Sequence, residues 1–381
     1  MNMKTKSKVA LMSYAMDNRI AKGMALYTRK LIEGLLNDSK FDFSLIHYDK
    51  VKDSLYEKGR EIMMPKIKLP FGSRFVSQLL FFWKYRKEPF DVIHWFQPRL
   101  YPCFWFAPAK KIVVTVHGAG DITAPTYFVF SRSVFNFTLK HFHRWVDIII
   151  VDSEFAKEEV MEHYGFPEHK VKIIYLGGGE IYKPIEKNEA QKIVLQKYGI
   201  NHPYILDISR LQPHKNVVTL IRSYIIMREK YPKHTEKLVI VGGAAYKNRD
   251  EYVVAEKSQF FKDIIFVDFV ETEDLNHIYS ASEVFVFPSL NEGFGLPIVE
   301  AMASGVPVIT SNITSMPEIG GDAVITIDPF NKEELAEAMH NVLTDESLRK
   351  KMIEAGLSRA KGFTWQKTVE QTENLYNELL K

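Results

Sequence analysis

With 381 residues, the chain is long enough for two domains of ordinary size, each burying its own core. Its 46% apolar and 25% charged residues and net charge of +3 suit a globular enzyme and give no sign of a nucleic-acid partner. No apolar run is long enough to span a membrane, the basic start MNMKTKSK enters a short strand rather than a signal-peptide core, and the single cysteine, Cys103, excludes an intramolecular disulfide, so a reducing, cytoplasmic location is expected.

In chain order, Lys8 to Ser13 reads as a first strand, and Gly23 opens an amphipathic helix with Leu26, Leu31 and Leu35 or Leu36 inward. Phe41 to Tyr48 is a second strand. Arg74 to Lys87 (RFVSQLLFFWKYRK) is aromatic, apolar and flanked by cations, a pattern that can lie on an anionic membrane surface. It leads directly into the strand 91–95, which favours a packed helix of a βαβ repeat and leaves peripheral membrane contact through 74–87 as the alternative. Lys111 to Val116 is a strand with His117 at its carboxyl end, where an imidazole can donate a hydrogen bond to a ligand hydroxyl. Asp147 to Asp152 is another strand, with Ser153 heading a helix, and Val171 to Leu176 is the last of this half, followed by Gly177-Gly178-Gly179. The run 183–200 is polar and charged, which places a domain junction there, at 185/186.

The second half opens with the strand Tyr204 to Ile208 and the octapeptide Ser209-Arg210-Leu211-Gln212-Pro213-His214-Lys215-Asn216. Two cations separated by a turn, after a strand and before a helix, suit a pyrophosphate: Arg210 can grip it in a bidentate fork, and Lys215 adds a compact charge. Strands follow at Lys237 to Val241 and Ile264 to Val270. Val284 to Phe287 is a buried parallel strand, and its loop, 288–296, carries Gly293 and Gly295. Pro297 suits a first helical position, and Ile298, Val299, Ala301 and Met302 continue a helix that Gly305 closes before the strand Val306 to Thr310. This β-loop-α-β unit puts its loop where open α/β sheets bind ligands. Glu292 in the loop and Glu300, expected in the first helical turn, can each accept hydrogen bonds from a pair of hydroxyls, while amides of residues 293–297 can hold phosphate or sugar oxygens. Ala323 to Ile327 is a final strand, and helices are expected over 330–343, 348–361 and 365–380. No Asp-x-Asp pair, Walker A sequence, Cys/His zinc spacing or Gly-x-Ser-x-Gly elbow is present, so neither a metal nor another cofactor is expected.

The stretch 288–323, PSLNEGFGLPIVEAMASGVPVITSNITSMPEIGGDA, resembles the donor-site signature of the retaining glycosyltransferases of family four, which have the GT-B fold. The spaced glutamates, the Gly-Phe-Gly-Leu-Pro core, the Ala-Met-Ala-Ser-Gly-Val-Pro-Val step and the downstream Pro-Glu carry the likeness, and Ser209 to Asn216 resembles the family's phosphate-binding stretch. The resemblance implies an α/β protein of two Rossmann-like domains facing across a cleft: an acceptor-binding domain, 1–185, with the helix 365–381 packing back on it, and a nucleotide-sugar-binding domain, 186–364. It implies catalytic roles for His117, Arg210, Lys215 and Glu292. It implies donor-binding roles for Gly23, Ser209, Val270, Gly293, Phe294, Gly295, Leu296 and Glu300, with Glu292 and the 293–295 amides on the hexose and Glu300 on the ribose. His117 would contact the transferred sugar, the loop 122–131 is an acceptor-loop candidate, and main chain near Phe269 to Glu271 would frame the base. Where the family commonly has Gly-x-Gly-x-Tyr, this chain has Gly23-Met24-Ala25-Leu26-Tyr27, so close approach there rests on Ala25. The implied activity is metal-independent transfer of a hexosyl group, with retention, from a nucleotide-diphosphate sugar to a glycan or lipid-linked acceptor in surface polysaccharide synthesis. GDP-mannose is favoured over a UDP-sugar. The alternatives are a GT-B sugar-nucleotide epimerase and a non-catalytic sugar-nucleotide-binding module. Lipid-linked acceptors would bring the protein to the inner face of the membrane.

Overall fold

The computed structural model describes residues 6–17, 22–37, 40–49, 53–68, 73–96, 103–123, 130–242, 249–268 and 270–381. They divide into two compact units. The first holds the described residues up to Ile122, those from 130 to Leu176, and Trp365–Lys381; the second holds Thr123 and the described residues of Gly177–Thr364.

The first unit is built on β1 (Lys8–Met12), β2 (Asp42–His47), β3 (Arg60–Met63), β4 (Phe90–Trp95), β5 (Ala109–Thr115), β6 (Ile148–Val151) and β7 (Val171–Ile173). They pair in parallel in the order β3-β2-β1-β4-β5-β6-β7. The central strands are buried along nearly their whole length, as their Val/Ile/Leu-rich runs require once helices cover both faces. The strand order reverses between β1 and β4, the place where such a sheet opens a crevice at its carboxyl edge. After β1, a short 3-10 helix, Tyr14–Asp17, is fixed by Asp17, whose carboxylate meets the buried His47 at 2.9 Å and accepts from the amides of Tyr48 and Asp49. The C-terminal helix Trp365–Leu379 packs within this unit. Tyr376 on it meets His94 at 2.6 Å, and Thr368 donates to the carbonyl of Tyr175. Gly34 is the contact that lets this helix lie close, since a Cβ there would fall 2.3 Å from a methyl of Val369.

The second unit carries β8 (Tyr204–Ile208), β9 (Lys237–Val241), β10 (Ile264–Val267), β11 (Val284–Phe287), β12 (Val308–Ser311) and β13 (Ile325–Ile327), all parallel, in the order β10-β9-β8-β11-β12-β13. The order reverses between β8 and β11.

Several local expectations are corrected. The edge strand β3 is absent from the sequence reading, because Arg-Glu-Ile-Met buries only Ile62 and shows no apolar alternation. The polar run 183–200 is not a linker, and the chain passes from one unit to the other at Leu176/Gly177. That run holds the helix Lys187–Tyr198, capped by the Glu186 carboxylate and by Gly199 at φ 70°, which buries only Ala190 and Val194, one turn apart. Glu300 lies in the second turn rather than the first, since the helix Leu296–Ala303 begins at Leu296. No described helix is long and apolar enough to cross a membrane.

Candidate functional site

The reversal between β8 and β11 sets the loops that follow these two strands side by side, because one chain then crosses over toward β9 and the other toward β12. The loop after β8 tightens into a 3-10 turn, Pro213–Lys215, and ends at Asn216 in the left-handed conformation, φ 57°, which Asn tolerates better than most residues. The Asn216 amide donates to the carbonyls of Pro288 (3.1 Å) and Pro329 (2.7 Å), so one side chain ties together the segments after β8, β11 and β13. The amide of Leu290 adds a bond to the His214 carbonyl at 2.7 Å.

These ties bring Lys215 Nζ to 2.5 Å from Glu292 Oε1, which also accepts from Ser289 Oγ at 2.6 Å. The ammonium lies 5.0 Å above the Phe287 ring, a second contact suited to a cation. Only 17% of the Lys215 side chain and 15% of Glu292 remain exposed, so the pair is shielded enough to act strongly on a third charge. Arg210, in the same loop, is exposed, and among the described residues no side-chain partner holds it. Arg249 donates to the carbonyl of Leu211 and steadies the loop from outside. Gly295 (φ 99°) opens the helix Leu296–Ala303, and Ser315 Oγ sits 2.9 Å from the carbonyls of both Glu292 and Phe294. The Phe294 ring packs edge-on against Phe363, so only its main chain could meet a ligand.

Beneath the pair lies Asp207, fully buried in β8. Ser209 Oγ donates to one of its oxygens at 2.6 Å, and the other oxygen meets no partner among the described residues. Burial pushes this carboxyl up to about 7; the Ser209 bond and the Lys215 charge pull it back, and the Glu292 charge adds to the rise. A carboxyl that holds its proton more tightly folded than unfolded contributes stability that is fully present below its ordinary value, 3.8, and lost as pH rises through about 7. The parent should therefore lose ~2–4 kcal/mol of unfolding free energy between pH 4 and 8 that Asp207→Asn retains. Denaturant unfolding of both chains across that range checks this, and parallel pH dependences would contradict it.

Glu300 is partly buried, and Tyr279 Oη donates to it at 2.9 Å. Burial raises its carboxyl above the usual range, while hydrogen bonds from Tyr279 and Tyr182 act the other way. The two tyrosine rings meet edge-to-face at 5.8 Å and hold the carboxylate in one orientation. Val270 is buried, and Phe269 lies outside the described residues.

In the first unit, the parallel register pairs Thr115 on β5 with Ile150 on β6. Carried two residues further, it sets His117 beside Asp152. The imidazole Nδ1 donates to Asp152 Oδ2, and the Asp152 side chain is only 2% exposed. His117 Nε2 meets no partner among the described residues, and the Tyr27 ring abuts the imidazole edge-on at 5.0 Å. With Nδ1–H given to the carboxylate, Nε2 is the nitrogen left for a ligand, accepting in the neutral ring and donating in the charged one. The amide of Ala119 donates to buried Glu159 at 2.8 Å, which shapes the turn after His117. Behind it, Tyr27, Thr115, His94 and Tyr376 form a buried hydrogen-bonded row. Burial pushes His94 down to about 3, which keeps that ring neutral. Gly23 lies in the first turn of the helix Lys22–Asn37, and residues 124–129 of the candidate acceptor loop lie outside the described residues.

Residues 191–359 match the family model described as glycosyl transferases group 1, and residues 21–177 match that of glycosyltransferase family 4. The O-antigen chain mannosyltransferase B of Escherichia coli is 32% identical over 278 residues, covering 71% of this chain and 71% of the relative. The chain belongs to the family four glycosyltransferases. The serotype-specific mannosyltransferase WbdA of Escherichia coli is 30% identical over 253 residues, which cover 64% of this chain and 30% of that longer protein. Sucrose-phosphate synthase from Thermosynechococcus elongatus superposes with a TM-score of 0.75 at 21% identity, covering 98% of this chain and 99% of its own, and that likeness assigns the GT-B fold.

Of the residues singled out in sequence, this glycosyltransferase brings Lys215 and Glu292 into direct contact and sets Ser209 next to them, with its hydroxyl turned inward to Asp207. Gly293, Phe294 and Gly295 lie between Glu292 and the helix that carries Glu300, and Leu296 is the first residue of that helix. Sequence reasoning missed Asp152, Asp207, Asn216, Tyr182 and Tyr279. Asp152 had one available signal, since residues just past neighbouring parallel strands lie side by side, and the Thr115–Ile150 register carries on to His117 and Asp152.

Proposed function

We propose that this glycosyltransferase moves a hexosyl group from a nucleotide-diphosphate sugar, GDP-mannose by preference, to a glycan or lipid-linked acceptor in surface polysaccharide synthesis. The observation that carries the reading is the shielded Lys215–Glu292 pair beside exposed Arg210 at the strand-order reversal of the second sheet. Two cations there can neutralise charge that builds on a diphosphate as the sugar–phosphate bond breaks, which lowers the barrier without a metal. Glu292, held by Lys215 and Ser289, is positioned to accept from hexose hydroxyls, and Glu300, oriented by two tyrosines, from ribose hydroxyls. His117 Nε2, aimed by Asp152, is the group for a hydroxyl of the transferred sugar or of the acceptor. The mannosyltransferase names of the two relatives support mannose as the sugar.

The chemistry we assign is same-face displacement with retention. The bond from C1 to the phosphate oxygen breaks, a bond from C1 to the acceptor oxygen forms, and the acceptor proton passes to the leaving phosphate. Glu292 as a covalent nucleophile is disfavoured because its Oε1 is tied to an ammonium, which lowers its nucleophilicity. The test is to incubate the protein with GDP-mannose, UDP-glucose and UDP-galactose, a mannan-type acceptor and EDTA, and to read the product by proton NMR. An α-mannosyl product formed in EDTA is the expected result. A β-linked product, or activity restored only by added metal, would overturn the mechanism.

A further inference from the structure

We propose that Thr314 is a positioning residue for the donor: the strained turn it makes clamps the loop that carries Glu292. Its φ is 59°, in the left-handed region that a β-branched residue enters only at a cost. Nothing local offsets that cost, since Thr314 Oγ1 is buried and meets no partner among the described residues. A residue strained in this way persists only where its surroundings hold it, and such residues gather at functional sites.

What the turn holds in place is the loop after β11, which the segment after β12 grips through a row of hydroxyls. Thr310 Oγ1 donates to the carbonyl of Phe287 at 2.8 Å, and Ser311 Oγ to that of Ser289 at 2.7 Å. Ser315 Oγ then meets the carbonyls of Glu292 and Phe294, the main chain on either side of Gly293. The amide of Asn312 is tied elsewhere, to the carbonyl of Ile327 on β13 at 2.8 Å. The chain therefore leaves the loop at Asn312 and has only Ile313 and Thr314 in which to return. The left-handed turn at Thr314 makes that return and delivers Ser315, which also precedes the helix Met316–Gly320. Ser289, fixed by Ser311 through its carbonyl, gives its own hydroxyl to Glu292 Oε1. With its carbonyls pinned, the loop cannot shift without breaking several bonds, so the Glu292 carboxylate and the 293–295 amides keep one arrangement. Glycine would make the same turn without strain but would also allow many others, whereas threonine is confined to few backbone and side-chain wells. Threonine here gives up stability for a fixed donor loop.

This role rests on the reading of the loop as the hexose end of a nucleotide-sugar site, and the experiment separates the two. The full chain, Thr314→Gly and Ser315→Ala are compared by thermal unfolding, by affinity for GDP, UDP, GDP-mannose and UDP-glucose, and by the rate of nucleotide release from the sugar that binds. Thr314→Gly relieves the strain and should raise Tm by about 2 °C. It should nevertheless lower kcat about tenfold and weaken binding of the nucleotide sugar, while affinity for the nucleotide alone stays close to that of the parent. Ser315→Ala should show the same kinetic loss with a lowered Tm, because it leaves carbonyls of the loop without their donor. A merely structural residue would move stability and activity in the same direction. Parent-like kcat and sugar affinity in Thr314→Gly, or a fall in its Tm, would overturn the role and leave the donor site in place. Failure of the parent to bind any of the four nucleotides would overturn the donor reading, and this role with it.

Discussion

Lys215→Ala is expected to lower kcat/KM for the donor by about 10²–10³-fold, the usual loss when one preorganised donor to a developing anion is removed. The loss has two parts. One is the cation itself, and the other is the carboxylate of Glu292, left without its partner in a site where little solvent screens it. Strong non-additivity is therefore expected. Glu292→Gln placed on top of Lys215→Ala should restore part of the donor affinity, because it removes a negative charge that would repel the diphosphate. Steady-state kinetics and nucleotide affinity for the two single variants and the double variant measure this directly. Additive losses would show that Lys215 and Glu292 do not act on the same ligand.

Asp152→Asn should lower kcat by about 10–100-fold while leaving nucleotide affinity close to that of the parent. Asp152 is a positioning residue: it touches His117 and reaches a substrate only through that ring. Without the carboxylate, the imidazole loses the bond that fixes which nitrogen carries the hydrogen. The nitrogen-15 shifts of His117 report that distribution, so a merely structural effect can be told apart from a tautomeric one. A parent-like ring spectrum alongside reduced kcat would contradict this role, as would an equal loss of nucleotide affinity.

Why some of this was legible in sequence and some was not has a physical basis. The strands β8, β9 and β11 match their apolar runs residue for residue, because a parallel strand buried on both faces leaves little freedom in composition. Arg210, Lys215, Glu292 and Glu300 could be picked out because loop ends after strands, glycines and charged residues make a local pattern. The supporting carboxylates were harder to see: Asp207 lies inside the apolar run of β8 and bonds to the nearby Ser209, and Asp152 follows β6 and gains its role from His117 beyond the neighbouring strand β5. Asn216 looks like an ordinary helix cap, yet here its side chain joins segments separated by 72 and 113 positions. The helix Lys187–Tyr198 was hidden by polarity: with two buried residues, its stability comes from caps and from the Lys197–Asp274 and Tyr198–Asp274 contacts rather than an apolar face. An aromatic patch on the first unit was partly visible as the stretch 74–87, which forms the helix Ser73–Tyr85. Its extension to Trp105 and Trp145 depended on tertiary placement.

The most direct test of the central claim, that a nucleotide sugar binds at the strand-order reversal of the second unit, is thermal stabilisation by nucleotides in EDTA. GDP, GDP-mannose, UDP and UDP-glucose should be compared on the parent, Lys215→Ala and Glu300→Ala. At about a hundred times its dissociation constant a ligand adds roughly 2.7 kcal/mol, a clear shift in Tm. The expected result is stabilisation of the parent, greatest with the guanosine forms, and a much smaller shift in both variants at the same concentrations. No shift of the parent with any of the four, or equal shifts in all three chains, would contradict it.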